Sequence, residues 1–180
     1  MATTKRTTGL LGQPTLLRFG LFEITFFVAY RFGMSFTQSL ASPLWFPDAV
    51  LLCVLLGSRS GVWWIYILGT LPIRLFLVVP ADTPFWFLVA CFVNDSLKAL
   101  LSAWLLGRIT RHGSWFDDLG QFARYFLVAV IVSPGLSAVA GATSRIYRGD
   151  EFGGAWIHWF LGDALAALIL TPFLVSLSVE

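Results

Sequence analysis

Seven ionisable residues stand inside otherwise apolar stretches of this sequence: Glu23, Arg31, Asp48, Arg74, Asp95, Lys98 and Asp163. Where apolar runs are long enough to enter a bilayer, each such group costs at least ~2.5–3.5 kcal/mol near mid-depth, so it is expected to face the bundle interior and to pair. Four acids against three bases come close to balance. Two kinds of chemistry follow. The charges either pair internally and fix helix register, or they line a polar cavity that takes a small polar ligand or an ion. Asp95 and Lys98 are three residues apart, on one helical face, and would partly neutralise each other. The candidate ligand-binding or intramembrane cluster is therefore Arg31, Asp48, Arg74, Asp95, Lys98 and Asp163.

Catalytic chemistry is not expected. The sequence has no nucleophile elbow, phosphate-binding loop or glycine-rich nucleotide fingerprint. Its two histidines, His112 and His158, lie far apart without neighbouring cysteine or carboxylate ligands, which makes a poor metal site. No metal or cofactor is expected. Cys53 and Cys91 sit in apolar runs and read as small buried hydrophobes. No basic run exceeds Lys5-Arg6, so nucleic acid is not an expected partner.

The elements that must position these charges are membrane spans. Of 180 residues 57% are hydrophobic and only 12% charged, where a soluble domain carries about 25% charge. The mean hydropathy is +0.79, and the 8 tryptophans suit a protein with many membrane–water interfaces. Spans need about 20 mostly apolar residues. They are expected at 19–40, 44–57, 62–79, 84–107, 122–144 and 155–177. The predicted fold is an all-α integral membrane protein, a six-transmembrane-helix bundle with a short proline-interrupted second span, because Pro43 and Pro47 cannot both sit inside a regular helix. Residues 1–17 read as a cytoplasmic tail and 18–180 as one transmembrane domain. The first span is expected to remain uncleaved, since its apolar run is too long for a signal peptide.

Six spans put both termini on one side. Lys5, Arg6, Arg18, Arg59, Arg108, Arg111 and Arg124 fall on that side, against Arg145 and Arg148 opposite, so the termini are expected in the cytoplasm. Ser133, Ser137 and Gly141 form a small-residue stripe that would serve either packing within the chain or a homodimer seam. Pro134 and Pro172 are expected to kink the fifth and sixth spans. The sequence stops as the sixth span leaves the membrane, which reads as a boundary beyond which a soluble part continues.

Three segments together resemble a known family. They are Ser42-Pro43-Leu44-Trp45-Phe46-Pro47-Asp48-Ala49, then Asn94-Asp95-Ser96-Leu97-Lys98-Ala99-Leu100-Leu101 with Trp104-Leu105-Leu106, then Trp159-Phe160-Leu161-Gly162-Asp163-Ala164-Leu165 running to Thr171-Pro172-Phe173-Leu174. Over 19–177 the chain is similar to bacterial membrane-associated sensor domains of the first type (the MASE family). It departs from the usual pattern at Asp48, where a small residue is expected, at Lys98, where an acid is, and near Ala166, where a glycine is. The resemblance implies the N-terminal input domain of a sensor histidine kinase or diguanylate cyclase in the bacterial inner membrane. The implied partners are the lipid bilayer, a cytoplasmic output domain, a second copy in a homodimer, and an unknown small ligand or membrane partner. A small-molecule carrier or substrate-binding membrane subunit is the alternative function, and a scaffold with purely structural charges is the third reading.

Overall fold

The computed structural model describes residues 16–36, 44–77, 83–109, 116 and 118–178, and among these every regular element is helical. Six rods form the bundle. The first is α1 (Leu16–Ser35) and the second α2 (Phe46–Leu56). The third joins a 3-10 turn (Ser60–Val62), α3 (Trp63–Pro72) and a π-helical turn (Ile73–Leu77). Fourth is α4 (Phe85–Ile109). The fifth joins α5 (Leu119–Tyr125), a π-helical stretch (Phe126–Val132) and α6 (Ser133–Ile146), and the sixth is α7 (Phe152–Ser178).

Four rods are long and apolar enough to cross a membrane: Ser60–Leu77, Phe85–Ile109, Leu119–Ile146 and Phe152–Ser176. α1 has 20 residues, about 30 Å of helix, but carries Arg18, Glu23 and Arg31. The six-rod count fits the six expected spans. Helix α1 begins at Leu16, inside the stretch expected to be tail; residues 37–40 of the expected first span, Pro43 and His112 lie outside the described residues.

Helix α2 has 11 residues, about 16 Å, roughly half of a hydrocarbon core about 30 Å thick. It nevertheless occupies the centre. Pro47, Asp48, Ala49, Val50, Leu51, Leu52 and Leu55 are all buried, and the helix packs on α1, α3, α4 and α7. Pro47 falls in the first turn, where its missing N–H leaves no bond unmade. At the other end the indole N–H of Trp63 donates to the carbonyl of Leu55 at 2.9 Å and to that of Ser58 at 3.3 Å. The indole thereby supplies a donor to the last carbonyls of the helix, which have no partner within it.

The core is aromatic along α1 and aliphatic along α2. Phe22, Phe26 and Tyr30 are buried at four-residue spacing, and the Phe22 ring meets Tyr66 edge-on at 5.2 Å. The small-residue stripe of α6 packs within the chain. Ser133, Ser137 and Gly141 are buried, Ser137 Oγ accepts from Asn94 Nδ2 of α4 at 2.9 Å, and Gly141 lies against the Trp159 indole of α7.

Between α6 and α7 the chain turns through Gly149, whose φ of +91° favours glycine. Arg145 Nε and Asp150 Oδ2 pair across this turn at 2.7 Å. Glu151 then accepts the first N–H groups of α7, from Gly153 at 2.8 Å and Gly154 at 2.6 Å. These two donors hold its carboxyl below the usual carboxylate range.

A buried ion-pair network at the bundle centre

Arg74 is placed by an irregularity. Pro72 lies inside the third rod and cannot donate to the helical ladder, and the chain continues as a π-helical turn that carries Arg74. Single π turns of this kind recur at functional sites. The guanidinium is 3% exposed. Its Nη2 donates to Asp48 Oδ1 of α2 at 2.8 Å, and its Nη1 to Asp95 Oδ2 of α4 at 2.5 Å. Beneath it lie the rings of Phe26 at 5.2 Å and Tyr30 at 5.6 Å from their centroids, a cation–π floor built by α1.

Lys98 completes the arrangement one helical turn beyond Asp95. Its ammonium pairs directly with Asp48 Oδ2 and with Asp163 Oδ2 of α7, and stands 3.8 Å from Asp95 Oδ1. Asp48 thus joins the two cations, and Lys98 joins α2 to α7. Trp45 adds a neutral donor, its indole N–H reaching Asp95 Oδ2 at 3.3 Å. The Trp45 backbone N–H donates to Gly162 O at 3.0 Å, beside Asp163, and its ring meets Tyr30 edge-on at 5.3 Å. Asp95 and Asp163 lie about 15 Å and 16 Å along their helices from Phe85 and Phe152, half the thickness of a bilayer core.

All five charged residues are buried. Three carboxylates face two cations, leaving a formal charge of −1. The mutual attraction of such a network roughly offsets its desolvation, so its net contribution to stability is small, but removing one partner strands another charge at a cost of several kcal/mol. The arrangement therefore specifies how four rods meet more than it strengthens the fold.

Of the six residues expected to cluster, Asp48, Arg74, Asp95, Lys98 and Asp163 come together. Arg31 does not. It is exposed on α1, turned away from the face that bears Phe26 and Tyr30. Glu23 is also apart, half-buried against Gly69 of α3. Surface grooves open between the rods. One of about 380 Å³ lies between α1, α2 and α7, lined by Val28, Phe32 and Leu170 among others. Another of about 410 Å³ lies between α4, α6 and α7, lined by Cys91, Asn94 and Trp159 among others. Neither is lined by any of the five network residues, whose charged atoms meet one another directly. His158 Nδ1 bonds the Gly154 carbonyl at 2.7 Å, one turn back on α7. Trp45, Phe26 and Tyr30 were not anticipated as site residues. The one available signal was the three-residue spacing of Trp45 and Asp48.

Apolar rods of spanning length, closed around a buried ion-pair network, define a polytopic α-helical membrane protein. Its family is equally definite: the MASE1 family model matches residues 19–178, and the chain belongs to that family. It is a membrane-associated sensor domain of the MASE1 type, a sensory input rather than a catalytic module. No curated protein and no solved structure matches the chain.

Proposed function

We propose that the domain is the input half of a bacterial histidine kinase or diguanylate cyclase, lying in the inner membrane with both termini cytoplasmic, and that the five-residue network is its two-state element. The observation that carries this reading is the position of Lys98, shared between Asp48 of α2 and Asp163 of α7. A ligand or membrane partner that favours one pairing over the other changes how α7 is held. Helix α7 is the last of the rods and the natural lead to a linked output domain. A coupling of only ~1–3 kcal/mol between such an input and the output suffices for regulation, and it must arise from a difference in affinity for the two states. Orientation rests on the lysine and arginine bias, and a homodimer on the dimeric action of such kinases and cyclases.

The test is made in the intact signalling protein with its output domain attached. Lys98→Gln is expected to lock output on or off while the protein still inserts at its normal level, and exchanging the charges (Lys98→Asp with Asp163→Lys) is expected to restore part of the regulation. Normal regulation in Lys98→Gln, or an output loss that merely follows loss of inserted protein, removes the basis for the reading.

A further inference from the structure

The network contains one acid more than it has bases, and the ion pairs among the described residues bring no third cation to it. From α1 it meets the Phe26 and Tyr30 rings, and on α6 the buried Ser133 and Ser137 are uncharged. On α4 Cys91 stands one helical turn before Asp95, and Lys98 belongs to the network itself. Arg145 of α6 engages Asp150, Glu23 of α1 packs at Gly69 of α3, and His158 of α7 bonds Gly154 at the exposed end of that helix. Left as counted, the centre would hold an uncompensated negative charge away from water, a state that buried groups escape by becoming neutral. The charged atoms touch one another, and neither groove is lined by them. Among the described residues no group of three or more His, Cys, Asp or Glu is placed to hold a metal ion; a proton needs no such cage.

We propose that the network is a proton-binding centre that takes one proton from solvent onto the Asp163 carboxylate. The step forms a single O–H bond and transfers no electron. Asp163 is singled out by its partners. Asp48 touches both Arg74 and Lys98. Asp95 touches Arg74, has Lys98 at 3.8 Å and accepts the Trp45 indole N–H. Asp163 meets only one cation of the network, Lys98. With the proton on Asp163, two carboxylates face two cations. Its release returns the excess charge to α7, so the centre ties the packing of the last helix to proton activity. This holds whether or not the network relays a signal to an output domain.

Infrared spectroscopy of the purified chain in lipid nanodiscs at neutral pH tests it. The wild type is expected to show the carbonyl stretch of a protonated carboxylic acid, well separated from the carboxylate bands and shifted in D2O. Asp163→Asn should lose that band, Asp163→Glu should keep it at a displaced frequency, and Glu23→Gln should leave it in place. Absence of the band in wild type overturns the proposal. So does a band that persists unchanged in Asp163→Asn and Asp163→Glu, or one lost in Glu23→Gln. Circular dichroism checks that Asp163→Asn remains helical, and Asp163→Glu decides the matter if it does not.

Discussion

Replacing Arg74 by methionine keeps most of the side-chain stem and removes the cation that binds two carboxylates at 2.8 and 2.5 Å. Asp48 retains Lys98. Asp95 is the group left stranded, with only the Trp45 indole at 3.3 Å and Lys98 at 3.8 Å. Breaking a buried pair from one side costs about 3–5 kcal/mol, and loss of the cation–π floor adds about 0.5–2 kcal/mol. Asp95→Asn alone leaves Arg74 paired with Asp48 and still offers it an oxygen, so its cost is that of weakening a charged hydrogen bond, about 1.5–3 kcal/mol. In the double variant no carboxylate is stranded. The penalty of the double variant should then fall short of the sum of the two single penalties by at least ~1.5 kcal/mol, within the range seen for residues in one network. The assay is reversible unfolding in mixed micelles, followed by circular dichroism at neutral pH for all four proteins of the cycle. The coupling should survive high salt, because buried pairs are little screened. Additivity within about 0.5 kcal/mol, or a cost for Arg74→Met below about 1 kcal/mol as for an exposed pair, would refute the reasoning.

Three further outcomes are expected. Gly141→Ala places a methyl group against the fused ring atoms of Trp159. Overpacking of about 1–3 kcal/mol should outweigh the helix-propensity gain of about 1 kcal/mol, and Trp159→Leu in the same chain should relieve it, as read by unfolding in micelles. Tyr125→Phe removes a buried hydroxyl that donates to Ala167 O at 2.5 Å. The expected loss is about 0.5–1.5 kcal/mol, with faster amide exchange confined to the 167–172 turn of α7. At the start of α7, the carboxyl of Glu151 is held below its ordinary value by the N–H groups of Gly153 and Gly154. Its contribution is therefore present above that ordinary value and lost as pH falls through the lowered one. Exchange at Gly153 and Gly154 should accelerate on acidification in wild type and show no such dependence in Glu151→Gln.

Much of the fold was legible because apolar length is a strong signal in a membrane protein. The expected spans 62–79, 84–107, 122–144 and 155–177 correspond to rods at Ser60–Leu77, Phe85–Ile109, Leu119–Ile146 and Phe152–Ser178. Which way a side chain faces was far less legible. In water a helix declares its buried face by contrast with a polar one, but in lipid both faces are apolar and the contrast vanishes. Arg31 shows the consequence. It follows Tyr30 directly, and in the folded chain the buried stripe runs Phe22, Phe26, Tyr30, Gly33, which turns Arg31 about 100° away. Asp48, Arg74, Asp95, Lys98 and Asp163 were legible as a group because a charge in an apolar run has few places to go. Of their pairing only the approach of Asp95 and Lys98 along α4 was legible, since Arg74 is aimed by a π-helical turn whose sequence trace is Pro72.

The half-length of α2 bears on how a change at the network could reach the end of α7. Asp48 occupies the first turn of α2, where the helix dipole favours a carboxylate, so the charges gather at one end of this central helix. Its other portion meets α7 through Cys53, whose thiol reaches the Thr171 carbonyl at 3.6 Å, in the turn that also receives the Tyr125 hydroxyl at Ala167. Helix α7 is therefore held at two levels, Asp163 and Thr171, about 12 Å apart along its axis. Pro172 lies immediately beyond the second level; having no N–H, it leaves out the helical bond to the Leu168 carbonyl, in the turn that leads up to Thr171. On the function proposed above, a shift at Asp163 would pass through this weakened turn and reach the end of α7 as a change of direction. On this geometry Tyr125→Phe should loosen the lower level and weaken communication from Asp163 to the output, while leaving the ion pairs intact. An output that still follows Asp163 variants fully in the Tyr125→Phe background would show that α7 moves as a free rod.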